Sequence, residues 1–469
     1  MTPAARPRAE WFPVILLTGL ILIIANLPYL LAYAAPTSHV FTGILLNPID
    51  GHSYLAKMRE GWRGAWLFTL PYTAEPGPGV FIFTYYLLLG HLARWTGASL
   101  ELIYHVARVG AGTFFLLTAY HFIARFFASV RARLVVWLLF ALGSGLGWVA
   151  ALFGGFTADL WVAESIPFLS VFGNSHFCLT WALLLWIFEW TLPGLAPLNL
   201  SAMRLMLIAL AVTLQAQIQP LALLTIGLVL GGMVLGLSLA RRTWIWQEWL
   251  PLLVVGLFAA PWLLYDGWAA ATQPVLAIWN AQNVTPAPPL WEALIWGGAP
   301  LLLAVPGAVV AARRRSPLDL VLLYWLGLGV LSLYAPFALQ RRLSLGLWMP
   351  ICILAGNGFG EVIWPRLGAR AVRAAARPFA LAALVVSVLS SNLLVYAATL
   401  GAIQARKPAL FLTSDEAAAL RWLADESVGK LVLASPDMGL FIPARTDARV
   451  IYGHPFETAG AAASKQAVE

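Results

Sequence analysis

From Phe12 to Leu31 the chain runs for twenty residues without a single Asp, Glu, Lys or Arg. A helix rising about 1.5 Å per residue needs about 20 apolar residues to cross a hydrocarbon core about 30 Å thick. Ten further apolar runs follow, at 100–124, 133–153, 176–194, 203–218, 219–239, 247–265, 292–311, 317–336, 344–364 and 378–398. Charge is scarce throughout: 11% of the 469 residues are charged and 61% are hydrophobic. A soluble domain carries about 25% charged residues, so this chain cannot cover a water-facing surface of its own size. The expected fold is an all-α polytopic membrane protein of about 11 transmembrane helices (range 11–13) with added juxtamembrane helices.

The first run follows Arg6 and Arg8, and Ala32-Tyr33-Ala34 has the look of a signal-peptide cleavage site. The run is nevertheless longer than a signal core of roughly 7–15 residues, so it reads as an uncleaved span. The segment from Gly79 to Trp95 contains His91 and Arg94. Counted as a crossing, it would put Arg125, Arg131 and Arg133 outside. Counted as a juxtamembrane helix, it leaves them inside with Arg241, Arg242, Arg313, Arg314, Arg315 and the Arg366, Arg370, Arg373, Arg377 cluster. Basic residues resist translocation, which favours the second arrangement. The protein is therefore expected as a multi-pass component of the cell (inner) membrane, N-terminus cytoplasmic and C-terminus extracytoplasmic.

A net charge of +8 does not point to nucleic acid, because no basic stripe with interleaved aromatics lies on a soluble segment. The two cysteines, Cys178 and Cys352, lie in apolar runs and support neither a disulfide framework nor zinc spacing. No internal repeat suggests the paired halves of many transporters.

This topology divides the chain into a transmembrane domain, 1–398, and a small α/β extracytoplasmic unit, 399–469. It also collects a first outer loop at 36–78, a second at 154–175 and a third at 266–291 on one side. In the tail, Thr413 and Glu416 form a capping-box pattern that predicts a helix from Ser414 to Glu426. Lys430–Ala434 and Val450–Tyr452 read as strands, and Pro436–Gly439 as a turn. The Ala- and Gly-rich stretch from Ala459 is expected to be mobile, and the unit to lean on the membrane domain.

The first outer loop is the richest in chemistry. Asp50 is followed by His52, Tyr54 and Lys57, while Tyr54, Leu55, Met58 and Trp62 form an apolar stripe with Lys57, Arg59 and Arg63 off it. That pattern predicts a helix along the membrane surface, with Asp50 at headgroup level. Asp50 is then either a solvated loop acid or a general base for an acceptor hydroxyl or amine. In the second loop, Asp159 and Glu164 are either acids in water or a pair in which one activates an acceptor and the other binds a donor or a divalent ion. His176 is a donor ligand or a helix-start histidine. After Tyr334-Ala-Pro336 come Gln340, Arg341 and Arg342, two arginines on the side where basic residues are rare. They suit bidentate phosphate contact, or they snorkel to headgroups. Gln215, Gln217 and Gln219 line a polar cavity or form a solvated turn; Glu189 sits deep in an apolar run; Asn283-Val-Thr285 is a glycosylation sequon. No Gly-rich phosphate loop and no G-x-S-x-G occurs.

In layout, over roughly residues 10–400, the chain resembles the GT-C superfamily of polyprenyl-phosphate-dependent glycosyltransferases. That superfamily includes the protein O-mannosyltransferases, the aminoarabinose transferases of lipid A and the catalytic subunits of oligosaccharyltransferases. The likeness rests on Asp50 with Tyr54 after the first span, a helix-rich stretch from Gly61 to Gly97, Pro336 with Arg341 and Arg342 late in the membrane domain, and the small outer C-terminal unit. The resemblance implies a sugar carried on a polyprenyl phosphate as donor and a protein, glycan or lipid as acceptor. It implies transfer with inversion at the outer face. Asp50 would match the acceptor base, Asp159 or else Glu164 the second-loop acid, and Arg341 or Arg342 the holder of the lipid phosphate. His52, Tyr54, Lys57, His176 and Gln340 are candidate substrate contacts. A divalent cation, Mg or Mn, is a candidate cofactor. The chain departs from the pattern at Gly51, where many relatives have a second acid, and at Gly77-Pro-Gly-Val80, where they have a Pro-Pro pair; it also lacks an Asp-x-Asp. A transporter or lipid flippase is the alternative, although nearly uncharged spans suit a proton-coupled carrier poorly. A non-catalytic membrane protein is the third reading.

Overall fold

Apolar residues that cannot face water have been sorted here onto helix exteriors and helix contacts. The structure, a computed structural model, describes residues 8–35, 38–196, 201–368 and 376–469. Arg6, Arg370 and Arg373 lie outside the described residues. Each of the eleven apolar runs is helical. Among the described residues, eight helices are long and apolar enough to cross a membrane: Ala9–Tyr33, Leu100–Ile123, Val130–Leu152, Leu221–Arg241, Trp246–Thr272, Leu290–Arg314, Gln340–Arg366 and Pro378–Gln404. Two shorter apolar helices, Ala202–Ile218 and Pro317–Leu333, accompany them. Phe12, Leu16, Leu257 and Leu302 remain exposed, as helices solvated by lipid require. The fold is thus an all-α polytopic membrane fold with very little sheet.

One expected run is interrupted. The helix from Val130 stops at Leu142 and a second, short helix begins at Gly147. A helix start leaves backbone N–H groups without partners. Here the Gly147 N–H donates to Asp159 Oδ2 at 2.8 Å, so a second-loop acid closes the break.

The bundle has two chemically different ends. At one end, basic residues meet acids at helix termini: Arg133 with Glu10 at 2.7 Å, Arg125 with Glu189 at 3.3 Å, Arg241 with Glu248 at 2.7 Å, and Arg314 with Asp319 at 2.9 Å. Glu189, which lay deep in an apolar run by sequence, belongs to this basic end. The loops gather at the opposite end.

Helix α1 (Arg8–Tyr33) delivers the chain to this loop end, where α2 (Pro48–Trp62) and α3 (Thr84–Thr96) follow. With 13 residues, α3 is about 20 Å long, too short to cross about 30 Å of hydrocarbon. It packs against α2 almost backbone to backbone. A side chain at Gly61 would strike the Leu87 carbonyl, and one at Gly90 would strike the Met58 carbonyl.

The structure corrects the surface-helix expectation for α2. Leu55 and Met58 do not lie open on the membrane. They are buried with Tyr72, Tyr86, Leu89 and Tyr104 on one side and Leu420, Phe441 and Ile442 of the C-terminal unit on the other. Lys57, expected off the stripe, is only 1% exposed. The tail offers α2 more apolar surface than lipid headgroups do, so the helix is sandwiched.

The tail is tied in at several points. Strand β1 (His39–Phe41) pairs antiparallel with β2 (Phe411–Thr413), His39 opposite Thr413. The capping box is present: Glu416 N–H donates to Thr413 Oγ1 and Thr413 N–H to the Glu416 carboxylate. Leu431–Val432 and Arg449–Val450 form a short parallel pair. Where a turn was predicted, Pro436 opens a helix that runs to Arg445. Proline is well suited to a first helical turn, and Ser435 caps it. The last stretch, expected to be mobile, forms a helix at Ala461–Val468. Lys57 and Glu457 form an ion pair of 2.9 Å, 1% and 13% exposed, which joins α2 to the tail.

Two outcomes follow from this packing. Gly90→Leu should force α2 from α3 and lower stability by at least about 1–3 kcal/mol, read as a fall in the thermal midpoint in detergent; an unchanged midpoint would contradict the close contact. Lys57→Met should leave Glu457 uncompensated and cost about 3–5 kcal/mol, while Lys57→Met combined with Glu457→Leu should recover most of the loss.

Candidate active site at the loop end

Asp50, Tyr54 and Lys57 stand at i, i+4 and i+7 on α2, which puts them on one helix face. A tight turn at 453–458 lies along that face. The turn braces itself: Gly453 and His454 N–H donate to Thr458 Oγ1, and Phe456 and Glu457 N–H donate to His454 Nδ1 at 3.1 and 3.0 Å. From this turn, Glu457 reaches Lys57, and His454 Nε2 comes within 3.5 Å of Asp50 Oδ1. Lys57 Nζ also donates to Ser53 Oγ at 3.2 Å and sits 4.4 Å above the Phe83 ring. Its ammonium is therefore fully engaged within the fold.

Asp50 lies in a recess yet keeps 49% of its side-chain surface open. Burial raises its pKa, but the hydrogen-bonding contact with His454, then the charges of Arg342 and Lys57, more than offset this and hold the carboxyl below its ordinary value. With half the side chain open, these cationic and donor neighbours outweigh desolvation. The acid stands ionised and half open to its surroundings.

The facing wall comes from two other loops. The Arg341 guanidinium lies 4.4 Å over the Trp161 ring and its Nε is 3.9 Å from Glu164 Oε1. The Trp161 carbonyl accepts from Asn47 Nδ2 at 3.2 Å. Asn47 itself starts α2 in the left-handed region, φ 47°. One tryptophan thus links the first loop, the second loop and the arginine turn. That turn is held by backbone pairing of Arg341 with Thr285 and of Thr285 with Ala338. The Gln340 side chain accepts from Ala287 N–H and donates to the Ala335 carbonyl, so both its ends hold the turn.

Tyr54 stacks on Tyr86 with ring centroids 4.6 Å apart and planes at 1°. The Tyr86 hydroxyl meets His176 Nδ1 at 2.6 Å. Burial first, and then the Asp50 charge, hold the Tyr54 phenol well above its ordinary pKa, which keeps it a neutral hydrogen-bond donor. Arg342 is close enough to act on the charge states of Asp50 and Tyr54. The Nε atoms of both Arg341 and Arg342 are buried without a hydrogen-bond partner. Buried donors without acceptors are costly, and guanidinium groups suit carboxylate or phosphate oxygens.

Asp50, Tyr54, Glu164, His176, Arg341 and Arg342 therefore come together. Asp159 does not join them: it is buried, with Oδ1 accepting from Thr157 Oγ1 at 2.7 Å and Oδ2 from Gly147. His52 points to the opposite side of α2, edge-on to Phe441 at 4.7 Å. Burial, then the charges of Arg445 and His454, pull its pKa down to about 3, so it is a neutral, packed ring. Gln217 accepts from Thr84 Oγ1 at 2.8 Å and holds α3.

His454 and Glu457 had no sequence signal, because a lone His before Pro455 in a polar tail is indistinguishable from a turn residue. Among the described residues, no group of three or more His, Cys, Asp or Glu could hold a metal ion. The groups acting on the Asp50 charge are His454, Arg342 and Lys57.

Two cavities adjoin α2 or the arginine turn. A cleft of about 400 Å³ between α2 and the tail contains Arg59, Arg63 and Asp447, and Asp447 is already paired with both arginines at 2.8 and 3.7 Å. A second, apolar groove of about 350 Å³ is lined by Leu223, Leu224, Leu228, Ser332 and Leu343. Leu343, which directly follows Arg342 in sequence, is the residue of the arginine turn that lines this groove.

No family model and no curated protein matches the chain by sequence. Solved structures do resemble it. ArnT from Cupriavidus metallidurans bound to undecaprenyl phosphate is 15% identical with a TM-score of 0.54, covering 96% of this chain and 89% of that one. The same protein in the apo state gives 15% identity, the same coverages and a TM-score of 0.51. At this identity the likeness is one of fold: the chain shares the polytopic helical fold of ArnT.

Proposed function

We propose that this protein is a membrane glycosyltransferase that takes a sugar from a polyprenyl-phosphate donor and gives it to an acceptor on a protein, glycan or lipid. The observation that carries the reading is the pairing of an ionised, half-open Asp50 with two arginines whose buried Nε atoms lack acceptors, beside an apolar groove. An anionic headgroup with a long apolar tail is complementary to that combination. The undecaprenyl phosphate bound to ArnT supports a lipid-linked donor here.

In the proposed reaction, an acceptor hydroxyl or amine attacks C1 of the sugar. Its proton passes to the Asp50 carboxylate. The C1–O bond to the polyprenyl phosphate breaks, and its electron pair stays on the phosphate oxygen. Arg341 and Arg342 stabilise the charge that develops there. A single displacement inverts the anomeric centre and needs no covalent enzyme intermediate. Tyr54 and His176 face the same recess and suit sugar hydroxyls; Glu164 orients Arg341. No step requires a metal ion.

The basic end, with Arg125, Arg133, Arg241 and Arg314, favours a cytoplasmic N-terminus and an extracytoplasmic loop end in the cell (inner) membrane. A proton-coupled carrier is less well supported. Charged groups within the helices have polar partners, as Glu10 has Arg133 and Arg108 has Asn26.

Purified protein with labelled polyprenyl-phosphate sugars and a membrane-fraction acceptor tests the reading. Transfer should occur, and Asp50→Asn should abolish it while donor binding persists. Arg341→Ala or Arg342→Ala should each weaken donor binding by about 10–100-fold, the worth of a charge-assisted hydrogen bond of about 1.5–3 kcal/mol. Absence of transfer with every donor, or an active Asp50→Asn protein, would sink it. The pH profile is a separate check. An acid held below its ordinary value stays ionised as pH falls, so kcat/KM should persist to below the usual carboxylate range, about 4, and fall only beneath it.

A further inference from the structure

The turn at 453–458 is built around a histidine whose tautomer the backbone dictates. His454 Nδ1 accepts from two backbone N–H groups, Phe456 at 3.1 Å and Glu457 at 3.0 Å. A nitrogen that accepts two such bonds carries no proton. In the neutral ring the proton must then sit on Nε2. That nitrogen is buried, has no hydrogen-bond partner within bonding geometry, and has Asp50 Oδ1 3.5 Å away. His454 is itself 1% exposed. Catalytic hydrogen bonds are commonly long before substrate arrives.

We propose that His454 is a positioning residue for Asp50: its Nε2–H, aimed by the self-braced turn, orients the carboxylate toward the acceptor. The proposal rests on the reading of Asp50 as the base, but the contact itself can be tested without activity. The turn gains its rigidity from the tail and from α2 at once. Glu457 binds Lys57 at 2.9 Å, and Gln282 Nε2 donates to the Phe456 carbonyl at 3.3 Å while its Oε1 accepts from Gly460 N–H at 3.0 Å. The tail is thereby part of the site rather than an appendage, and a chain cut before residue 453 would lack the group that aims its base.

The charged and titratable groups facing this pair are few. Asp50 is faced by His454, Arg342, Lys57 and Arg341, with Tyr54 and His176 on the same side. His454 is faced by Asp50, by Tyr72 with ring centroids 5.7 Å apart, and by the neutral His52. Arg342 and Lys57 remain when His454 is replaced, so its removal should raise the Asp50 pKa without abolishing ionisation. Above the new value the carboxylate still forms; as pH falls, it is lost earlier than in the unaltered protein.

The test uses the full-length protein in lipid nanodiscs. The carboxyl stretch of Asp50, identified by its absence from Asp50→Asn, is titrated by infrared spectroscopy. In His454→Asn the amide oxygen replaces Nδ1 as acceptor for the turn, but no donor reaches Asp50. In His454→Gln the amide nitrogen takes the place of Nε2. We expect the Asp50 midpoint to rise by about one pH unit in His454→Asn and to return most of the way in His454→Gln. The acid limb of kcat/KM should move with it, and kcat should fall more than KM for the donor changes. Identical Asp50 midpoints in the unaltered and His454→Asn proteins, at equal thermal midpoints, would overturn the proposal. A loss of activity without a shifted midpoint would mean that His454 serves the packing only, and would overturn it too. Should no sugar transfer be found while the midpoint shifts as expected, the transferase reading fails and the Asp50–His454 pairing stands.

Discussion

Hydrocarbon solvates neither a backbone amide nor a carboxylate, and that single fact arranges this protein. Backbone groups within the bilayer must find partners inside their own helices, so the apolar runs become helices before any tertiary contact is made. Polar side chains caught between them must pair, as Glu10 does with Arg133 and Arg108 with Asn26. At the loop end, Arg341 and Arg342 each keep a buried Nε without an acceptor; within the helices, Arg108 and Arg133 place their terminal guanidinium nitrogens on Asn26 and Glu10.

The recess is assembled from four stretches far apart in sequence. Helix α2 gives Asp50 and Tyr54, the second loop gives Trp161 and Glu164, the turn after Leu333 gives Arg341 and Arg342, and the tail gives His454. Trp161 links three of these, accepting from Asn47 through its carbonyl and supporting Arg341 through its ring. Lys57 with Glu457 secures the fourth. Because α2 is pressed between α3 and the tail, its acid is held by packing on both sides, which is what an oriented base requires. The fold shared with ArnT sets the frame within which these contacts are made.

Much of the layout was legible in the residues. Helix-forming runs, the short α3, the capping box at Thr413 and the grouping of Asp50 with Arg341 and Arg342 all follow from local rules: span length, charge at helix ends and cap chemistry. The same rules failed where partners are distant. The apolar stripe of α2 correctly announced a buried face but not what buries it, since tail and headgroups look alike to periodicity. Pro436 signals a turn or a first helical turn equally well, and the segment after it decided for a helix. Asp159 and Glu164 are indistinguishable as loop acids, yet one closes a helix break at Gly147 and the other faces Arg341.

By itself, then, the sequence determined that this chain lives in lipid, which stretches become helices, and which end of the bundle carries reactive side chains. Those outcomes depend on hydropathy and charge, properties each segment has alone. Tertiary structure decided which acid stands open and ionised, that Lys57 is a buried tie, and that a histidine some four hundred residues from Asp50 aims at it. Such outcomes depend on distances between segments, and a pKa or a hydrogen bond is set by what lies within a few ångströms rather than by what lies next in the chain.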